Sequence, residues 1–440
     1  MSDKPAEPAS TLDLLLADVN GVPRGKTVQA SALEGGDPAQ FAAAVFFQTI
    51  TGHYSKGSME RYNPRDEDLI LRPDWSSYSA CPWKPGDHGQ VICDALDKSG
   101  AAVPYDSRTV LKRVLAVYAD AHLHPVVAPE LEFYLLDPPQ RDALALACAP
   151  GLHGHAEFGG EAFSIDALDK YQPFLDDVKA QGKAVGLPLS AFVHEVGPAQ
   201  IELNLDHGDP LRRADQLFLL KRLVKACALR HGHLASFMAK PLERVPGSGA
   251  HLHCSVANGE GANIFALEDG RAPAALRHFI GGLQTWLPEA FALIAPNVNS
   301  FKRFVPDLSA PINLEWGYDN RTAGLRVPQS PLAGGRVENR VAGADVNPYL
   351  LTATTLACGW LGMQDRVEPT QPHGGDAYEA PTTLPGDLSQ ALRALAANRR
   401  LAELLSTAFI NAYVDVKRSE LEDFREWITP WEVRCLGSQL

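Results

Sequence analysis

Four short segments of this 440-residue chain alternate polar and apolar residues so strictly that each reads as a strand with one chemically uniform face. In Val127–Tyr134, Glu130 and Glu132 share a face while Leu131 and Phe133 take the other. Gln200–Leu205 sets Gln200, Glu202 and Asn204 on one side, and His251–Val256 does the same for His251, His253 and Ser255. Arg336–Arg340 aligns Arg336, Glu338 and Arg340. An antiparallel sheet with one wetted face produces such alternation without any function. The residue types argue otherwise when taken together. A solvated face mixes Lys, Ser, Thr and Gln, whereas these faces carry Glu, His and Arg. Carboxylates with an imidazole suit Mg2+ or Mn2+, and arginines suit planar carboxylates and phosphates. A metal, a nucleotide phosphate and a carboxylate substrate fit such a site, which is the chemistry of acyl-phosphate formation.

Histidine spacing adds little by itself. H-x-H occurs at 122/124, 153/155, 231/233 and 251/253, and the first three pairs read as surface or helix-end residues. The last pair differs because Gly247-Ser248-Gly249 precedes it, allowing close backbone approach to a ligand, and a strand pattern follows.

Forty Lys and Arg against 53 Asp and Glu leave a net charge of −13, which repels phosphate backbones and anionic membranes. No nucleic-acid or membrane partner is therefore expected. Seven scattered cysteines without a C-x-x-C pair argue against a disulfide framework and for a reducing cytoplasm. The N-terminus lacks an apolar leader, and no apolar run is long enough to span a bilayer.

Residues 1–10 read as a disordered lead, and Leu12–Val28 as a hairpin turning at Asn20-Gly21. Strands follow near Asp68–Leu71 and Gln90–Asp94, giving a β-rich module over residues 11–104. From Asp106-Ser107, able to cap a helix, strands alternate with helices such as Arg212–Leu229 and Leu276–Ala292. Residues 105–440 thus read as one large α+β domain.

Over nearly the whole chain the residues resemble the glutamine synthetase superfamily, type I. The matching stretches are DVNGVPRGK (18–26), PELEF (129–133), HEVGPAQIE (194–202), FMAKPLERVPGSGAHLH (237–253), NSFKRFVP (299–306), NRTAGLR (320–326) and RVENR (336–340). The resemblance implies a β-grasp domain followed by a catalytic domain built on an incomplete antiparallel barrel with surrounding helices. It also implies homo-oligomeric rings, as hexamers or dodecamers, with active sites between neighbouring subunits. Carried over by position, Glu132, Glu195 and Glu202 resemble ligands of a first metal, and Glu130, His251 and Glu338 those of a second. Arg303, Arg340 and the Gly247 backbone resemble the glutamate site. Arg321 and Arg326 resemble the arginines facing the transferred phosphoryl group, and His253, Ser255 and Arg336 the nucleotide contacts. The implied reaction uses ATP and Mg2+ or Mn2+: the γ-carboxylate of L-glutamate takes the γ-phosphate, and a neutral amine then displaces phosphate.

Departures from the family narrow the second substrate. Glutamine synthetases hold ammonium with carboxylates, one in the N-terminal domain and one on a flap after the NS-x-KR-x-VP motif. Here Ser309 stands at the flap position, and Gln40–Met59 contains no Asp or Glu. A small cation needs negative charge to bind and lose a proton. The chain accordingly looks more like the γ-glutamylpolyamine synthetase branch, acting in amine or polyamine catabolism, with a primary amine as substrate. An ammonia-dependent glutamine synthetase and a non-catalytic nitrogen or amine sensor are the alternatives. Pro246 stands for an asparagine near the glutamate site, and Ala333 for a lysine near the nucleotide. Trp316 and Tyr318 lie in a segment able to line an amine pocket, with a core role for Trp316 equally open. Tyr378, opposite the tyrosine adenylylated in some bacterial relatives, is expected to be an unmodified surface residue.

Overall fold

The computed structural model describes residues 5, 7–33, 39–138, 146–437 and 439. Fourteen strands run in chain order among the described residues. They are β1 (Thr11–Ala17), β2 (Pro23–Gln29), β3 (Ala39–Ala42), β4 (Asp68–Pro73), β5 (Ser79–Ala80), β6 (His88–Leu96) and β7 (Leu123–Leu136). There follow β8 (Leu189–His194), β9 (Gln200–Leu205), β10 (Leu234–Ser236), β11 (Ala250–Asn258), β12 (Trp316–Tyr318), β13 (Leu325–Val327) and β14 (Val337–Asn339).

The first six strands make one mixed sheet in the order β2-β1-β6-β4-β3, with β5 on β6. Its central pair, β1 and β6, is parallel, in keeping with the β-grasp expectation. The β1–β2 hairpin forms, but its turn is wider than Asn20-Gly21. Pairing ends at Ala17 opposite Pro23, where proline has no N–H to donate. The Asp18 carboxylate closes the five-residue loop by accepting the Asn20 and Val22 amides, each at 2.9 Å. At the tip Gly21 has φ +72°, and a Cβ there would lie 3.0 Å from Asn347 Cα, so the loop rests on the far half of the chain. Residues 1–4 and 6 of the lead lie outside the described residues, while Ala9 and Ser10 are hydrogen-bonded to Tyr78 and Asp87.

The other eight strands form a second sheet, β12-β13-β14-β11-β7-β9-β8, with β10 also on β7. Its end strands do not pair with each other, so the barrel is incomplete, as expected. One junction departs from an all-antiparallel barrel: β12 and β13 are parallel. The intervening loop is held back by Asn320, whose amide donates to the His373 and Gly375 carbonyls at 3.2 and 2.9 Å. The chain therefore re-enters beside β12 in the same direction.

Helices cover the sheets. Ser107–Asp120 begins at Asp106, whose carboxylate accepts the Arg108 and Thr109 amides. The anticipated 212–229 helix spans Pro210–Arg230, capped by Asp209 with Pro210 in its first turn. The anticipated 276–292 helix spans only Ala274–Trp286. Pro288 stops it by lacking an amide donor, and Phe291–Leu293 follows as a separate 3-10 turn. Buried apolar side chains from both sheets join in a single cluster. Two arginines cross between them: Arg108 reaches Asp74 (2.7 Å), Asp94 (2.5 Å) and Asp215 (2.8 Å), and Arg222 bonds Asp13 and Gln90.

Candidate active site

Strand register assembles the site. It sets His251 opposite Glu130, Glu132 opposite Glu202 and Glu130 opposite Asn204, and Glu338 opposite both His253 and Arg326. Residues paired across an antiparallel ladder share a face. Five strands therefore merge the separate polar stripes into one continuous patch. Glu195 joins it from the loop after β8, Arg340 from just past β14, and Arg303 from the end of the turn Val298–Arg303.

Glu130 lies at the middle, with one oxygen 2.8 Å from His253 Nε2 and the other 3.3 Å from His251 Nδ1. Glu338, 1 % exposed, accepts from Arg340 at 2.7 Å and Arg326 at 2.9 Å. It also lies 3.6 Å from His251. Glu132 accepts the Gly249 amide at 2.8 Å and the Gln200 side-chain amide at 3.0 Å.

These donors fit a hard divalent cation, being carboxylate oxygens with imidazole nitrogens. Ligand atoms of Glu130, His253 and Glu338 fall within 4.8 Å of one another, and so do those of Glu130, Glu202 and His251. The two groups cut across the anticipated sets: Glu130 belongs to both, His253 joins one, and Glu132 and Glu195 stand outside. Electrostatics points the same way. Burial, then the charge of Glu132, pushes the Glu195 carboxyl up to about 7. Burial with the charges of Glu130, Glu132 and Glu195 pushes Glu202 up to about 9. Burial also acts on Glu130 and Glu338, but hydrogen bonds from His251 and His253 hold Glu130 well below the usual range. The charges of Arg340 and the two histidines bring Glu338 to about 2. The patch thus contains carboxylates short of positive charge, which a cation supplies.

A pH dependence follows. Glu195 and Glu202 bind protons more tightly folded than unfolded, so the metal-free protein loses stability as pH rises from about 5 through about 7 for Glu195 and on to about 9 for Glu202. Thermal midpoints measured in chelator should fall across that window, and saturating Mn2+ should largely abolish the fall. Parallel curves with and without Mn2+ would mean that these carboxylates do not face the ion.

The anticipated glutamate residues meet. Arg303 is 2 % exposed and donates to the Val341 and Arg340 carbonyls at 2.8 and 3.3 Å. Nε of Arg303 and Nε of Arg340 are buried without a partner among the described residues. A Cβ on Gly247 would lie 2.7 Å from the Arg303 side chain, and one on Gly249 would lie 2.6 Å from His251 Nε2. These glycines thus admit Arg303 and His251 themselves, a closer role than the backbone approach to a ligand read from the sequence. Arg336 donates to His253 Nδ1 at 3.3 Å, and Ser255 continues the same face of β11. Arg326 joins through Glu338, whereas Arg321 stays exposed on its loop.

Gln200 had no assigned role in the sequence reading, yet it ties Glu132 to the Gly247 carbonyl, the latter at 3.1 Å. Its place on the Glu202 face of β9 was the available signal. Tyr134, donating to the Pro246 carbonyl at 2.7 Å, was also without a role, although it falls on the Glu130 and Glu132 face of β7. Trp316 takes its core role, 2 % exposed with its indole N–H on the Thr370 carbonyl. Tyr318 accepts the Ala272 amide through its hydroxyl. Tyr378 is half-buried rather than on the surface: burial raises its phenol, and the charges of Arg340 and Arg303 oppose that rise. The turn bearing it is tied inward, with Ala377 bonded to Thr322 and Asn313. Ser309 and Asp307 both have left-handed backbone, at φ +65° and +62°.

The family model described as glutamine synthetase, catalytic domain, matches residues 104–436. Gamma-glutamylputrescine synthetase PuuA of Escherichia coli (strain K12) is 36% identical over 97% of this chain and 91% of its own. Glutamine synthetase of Pyrococcus abyssi is 34% identical over 95% and 91%. Glutamate–isopropylamine ligase of a Pseudomonas species is 30% identical over 96% and 94%. The solved ligand-free GmaS structure superposes with a TM-score of 0.85 at 30% identity, covering 98% of this chain and 97% of the other.

Proposed function

The chain belongs to the glutamine synthetase family and is a carbon–nitrogen ligase of that type; on that premise we propose that it joins the γ-carboxyl of L-glutamate to a primary amine with ATP. The observation that carries the amine is the missing acid at both ammonium positions: Ser309 on the flap, and no Asp or Glu across Gln40–Met59. Relatives named for putrescine and isopropylamine support the reading. The chain's own roles then divide by chemistry. Buried Arg303 and Arg340 hold the glutamate carboxylates, each with an Nε still free to donate. Arg326 and the exposed Arg321 face the phosphoryl group, and Arg336 with His253 and Ser255 face the nucleotide. Glu130, Glu132, Glu195, Glu202, His251 and Glu338 would hold Mg2+ or Mn2+, which when bound neutralises charge on the transferring phosphoryl oxygens. The amine attacks γ-glutamyl phosphate in its neutral form, and productive turnover requires that water be kept from the same carbon. We place the boundary between the β-grasp and catalytic portions near residue 104, and the assembly as rings of six subunits, single or stacked, in the cytoplasm.

The second reading, ammonia-dependent glutamine synthetase, has the archaeal relative in its favour. Phosphate release with ATP, glutamate and Mn2+, measured across ammonium and a panel of primary amines, separates the two. We expect kcat/KM for the best amine to exceed that for ammonium by at least about a hundredfold, a difference of some 3 kcal/mol. Turnover fastest with ammonium would sink the amine reading. Silence with every nitrogen donor would bring the sensor forward.

A further inference from the structure

Glu195 differs from the other candidate ligands on the sheet because it lies outside the strands, although its amide donates to the Gln200 carbonyl on β9 at 2.8 Å. It follows β8 in a loop, and among the described residues its own carboxylate accepts a hydrogen bond from the adjacent Val196 amide alone, at 3.4 Å. Its place is therefore set by whatever grips the loop. Glu157, in the long connection between β7 and β8, does so from one side. Its side chain is 2% exposed and packs on a His194 side chain of 0% exposure. Both its oxygens lie near His194 Nε2, at 3.2 and 3.1 Å, and Oε2 also accepts the Ala199 amide at 2.8 Å. The other ring nitrogen, Nδ1, is 2.9 Å from the Glu195 carbonyl. The same connection adds two backbone contacts. Phe163 donates its amide to the His194 carbonyl at 2.9 Å, and Gly160 lies so close that a Cβ would sit 1.7 Å from the Val196 carbonyl oxygen. From the other side Gln200 accepts the Gly197 amide through its side chain at 2.9 Å.

We propose that Glu157 is a positioning residue which, through His194, fixes the Glu195 backbone for the divalent cation. A carboxylate–histidine pair behind a ligand orients it as second-sphere partners do elsewhere, and losing such a partner typically weakens metal binding by about tenfold to a hundredfold. The inference rests on the reading of Glu195 as a metal ligand.

The test is direct Mn2+ binding to the full chain, followed by electron paramagnetic resonance of free Mn2+, for wild type, Glu195→Ala, Glu157→Ala and Glu157→Gln. Glu157→Ala should weaken one Mn2+ site by about tenfold to a hundredfold while the other holds, and Glu157→Gln should recover part of the loss. Activity at saturating Mn2+ should return toward wild type, because the ligand itself remains. If Glu157→Ala does not fold, as judged by its thermal midpoint, Glu157→Gln carries the measurement. Wild-type Mn2+ affinity in the folded Glu157 variants, with one site lost in Glu195→Ala, would overturn the proposal and leave Glu195 a ligand. Unchanged binding in Glu195→Ala, or no Mn2+ binding by wild type, would overturn the premise and the proposal with it.

Discussion

Glu130→Gln should lower kcat/KM by about a thousandfold, the upper end of what one electrostatic group supplies, or some 4 kcal/mol. Glu130 is the residue common to both groups of candidate donors, and each of its oxygens faces a different histidine. The glutamine keeps the shape and can still bond one imidazole, so the fold should survive. It cannot offer an anionic oxygen to a cation on either side. Neutralising this one position therefore removes charge from both sites, whereas a change at Glu195 touches a single site. Steady-state kinetics with a Mn2+ titration makes the check. Full activity at raised Mn2+ would mean that Glu130 only tunes affinity, and full activity at ordinary Mn2+ would remove it from the site.

Arg108→Ala should destabilise the chain by about 3–5 kcal/mol, the usual cost of stranding buried charges. The Arg108 side chain is 3% exposed and is shared by Asp74, Asp94 and Asp215. Among the described residues Asp215 keeps the Tyr349 hydroxyl alone, at 2.7 Å, once the guanidinium is gone. Asp94 lies on β6, Asp74 just beyond β4, and Asp215 on the 210–230 helix, so the arginine joins the first sheet to the helices of the second. Arg108→Lys keeps the charge but loses the fork that reaches three acids at once, and should fall between. Burial raises the Asp74 and Asp94 carboxyls, but hydrogen bonds and neighbouring positive charge hold both below the usual aspartate range. Their contribution is therefore complete above about pH 4 and drains as the pH falls further. Urea unfolding at pH 7 gives the number; a loss under 1 kcal/mol would show that solvent reaches the three acids.

Features set by neighbouring residues were legible in the sequence, and those set by distant contacts were not. Alternation placed Glu130, Glu132, Glu202, His251, His253 and Glu338 on correct faces, because side-chain direction along a strand is set by the residue before and after. Capping at Asp106 was legible for the same reason. The hairpin turn was read too tightly because the Asp18 carboxylate, not the Asn20-Gly21 dipeptide, closes it. The 276–292 helix was read too long because apolar spacing continued past Pro288, which periodicity ignores. Tyr378 was read as exposed because its neighbours are small and polar, and only the bonds from Ala377 to Thr322 and Asn313 carry it inward.

By itself the sequence determined the kind of chemistry this chain can hold: carboxylates, imidazoles and arginines on strand faces, with Ser309 and an acid-free Gln40–Met59 where the resemblance leads one to expect carboxylates. Tertiary structure alone decided which of those groups meet. Glu130 is 121 residues from His251, and Glu338 lies beyond both; their distances depend on the register of β7, β11 and β14. Glu157 sits in an irregular loop where no period marks it, and its contact with His194 exists only once that loop folds back. Periodicity is a local property of the backbone, whereas register and loop docking are chosen by packing between segments far apart in the chain.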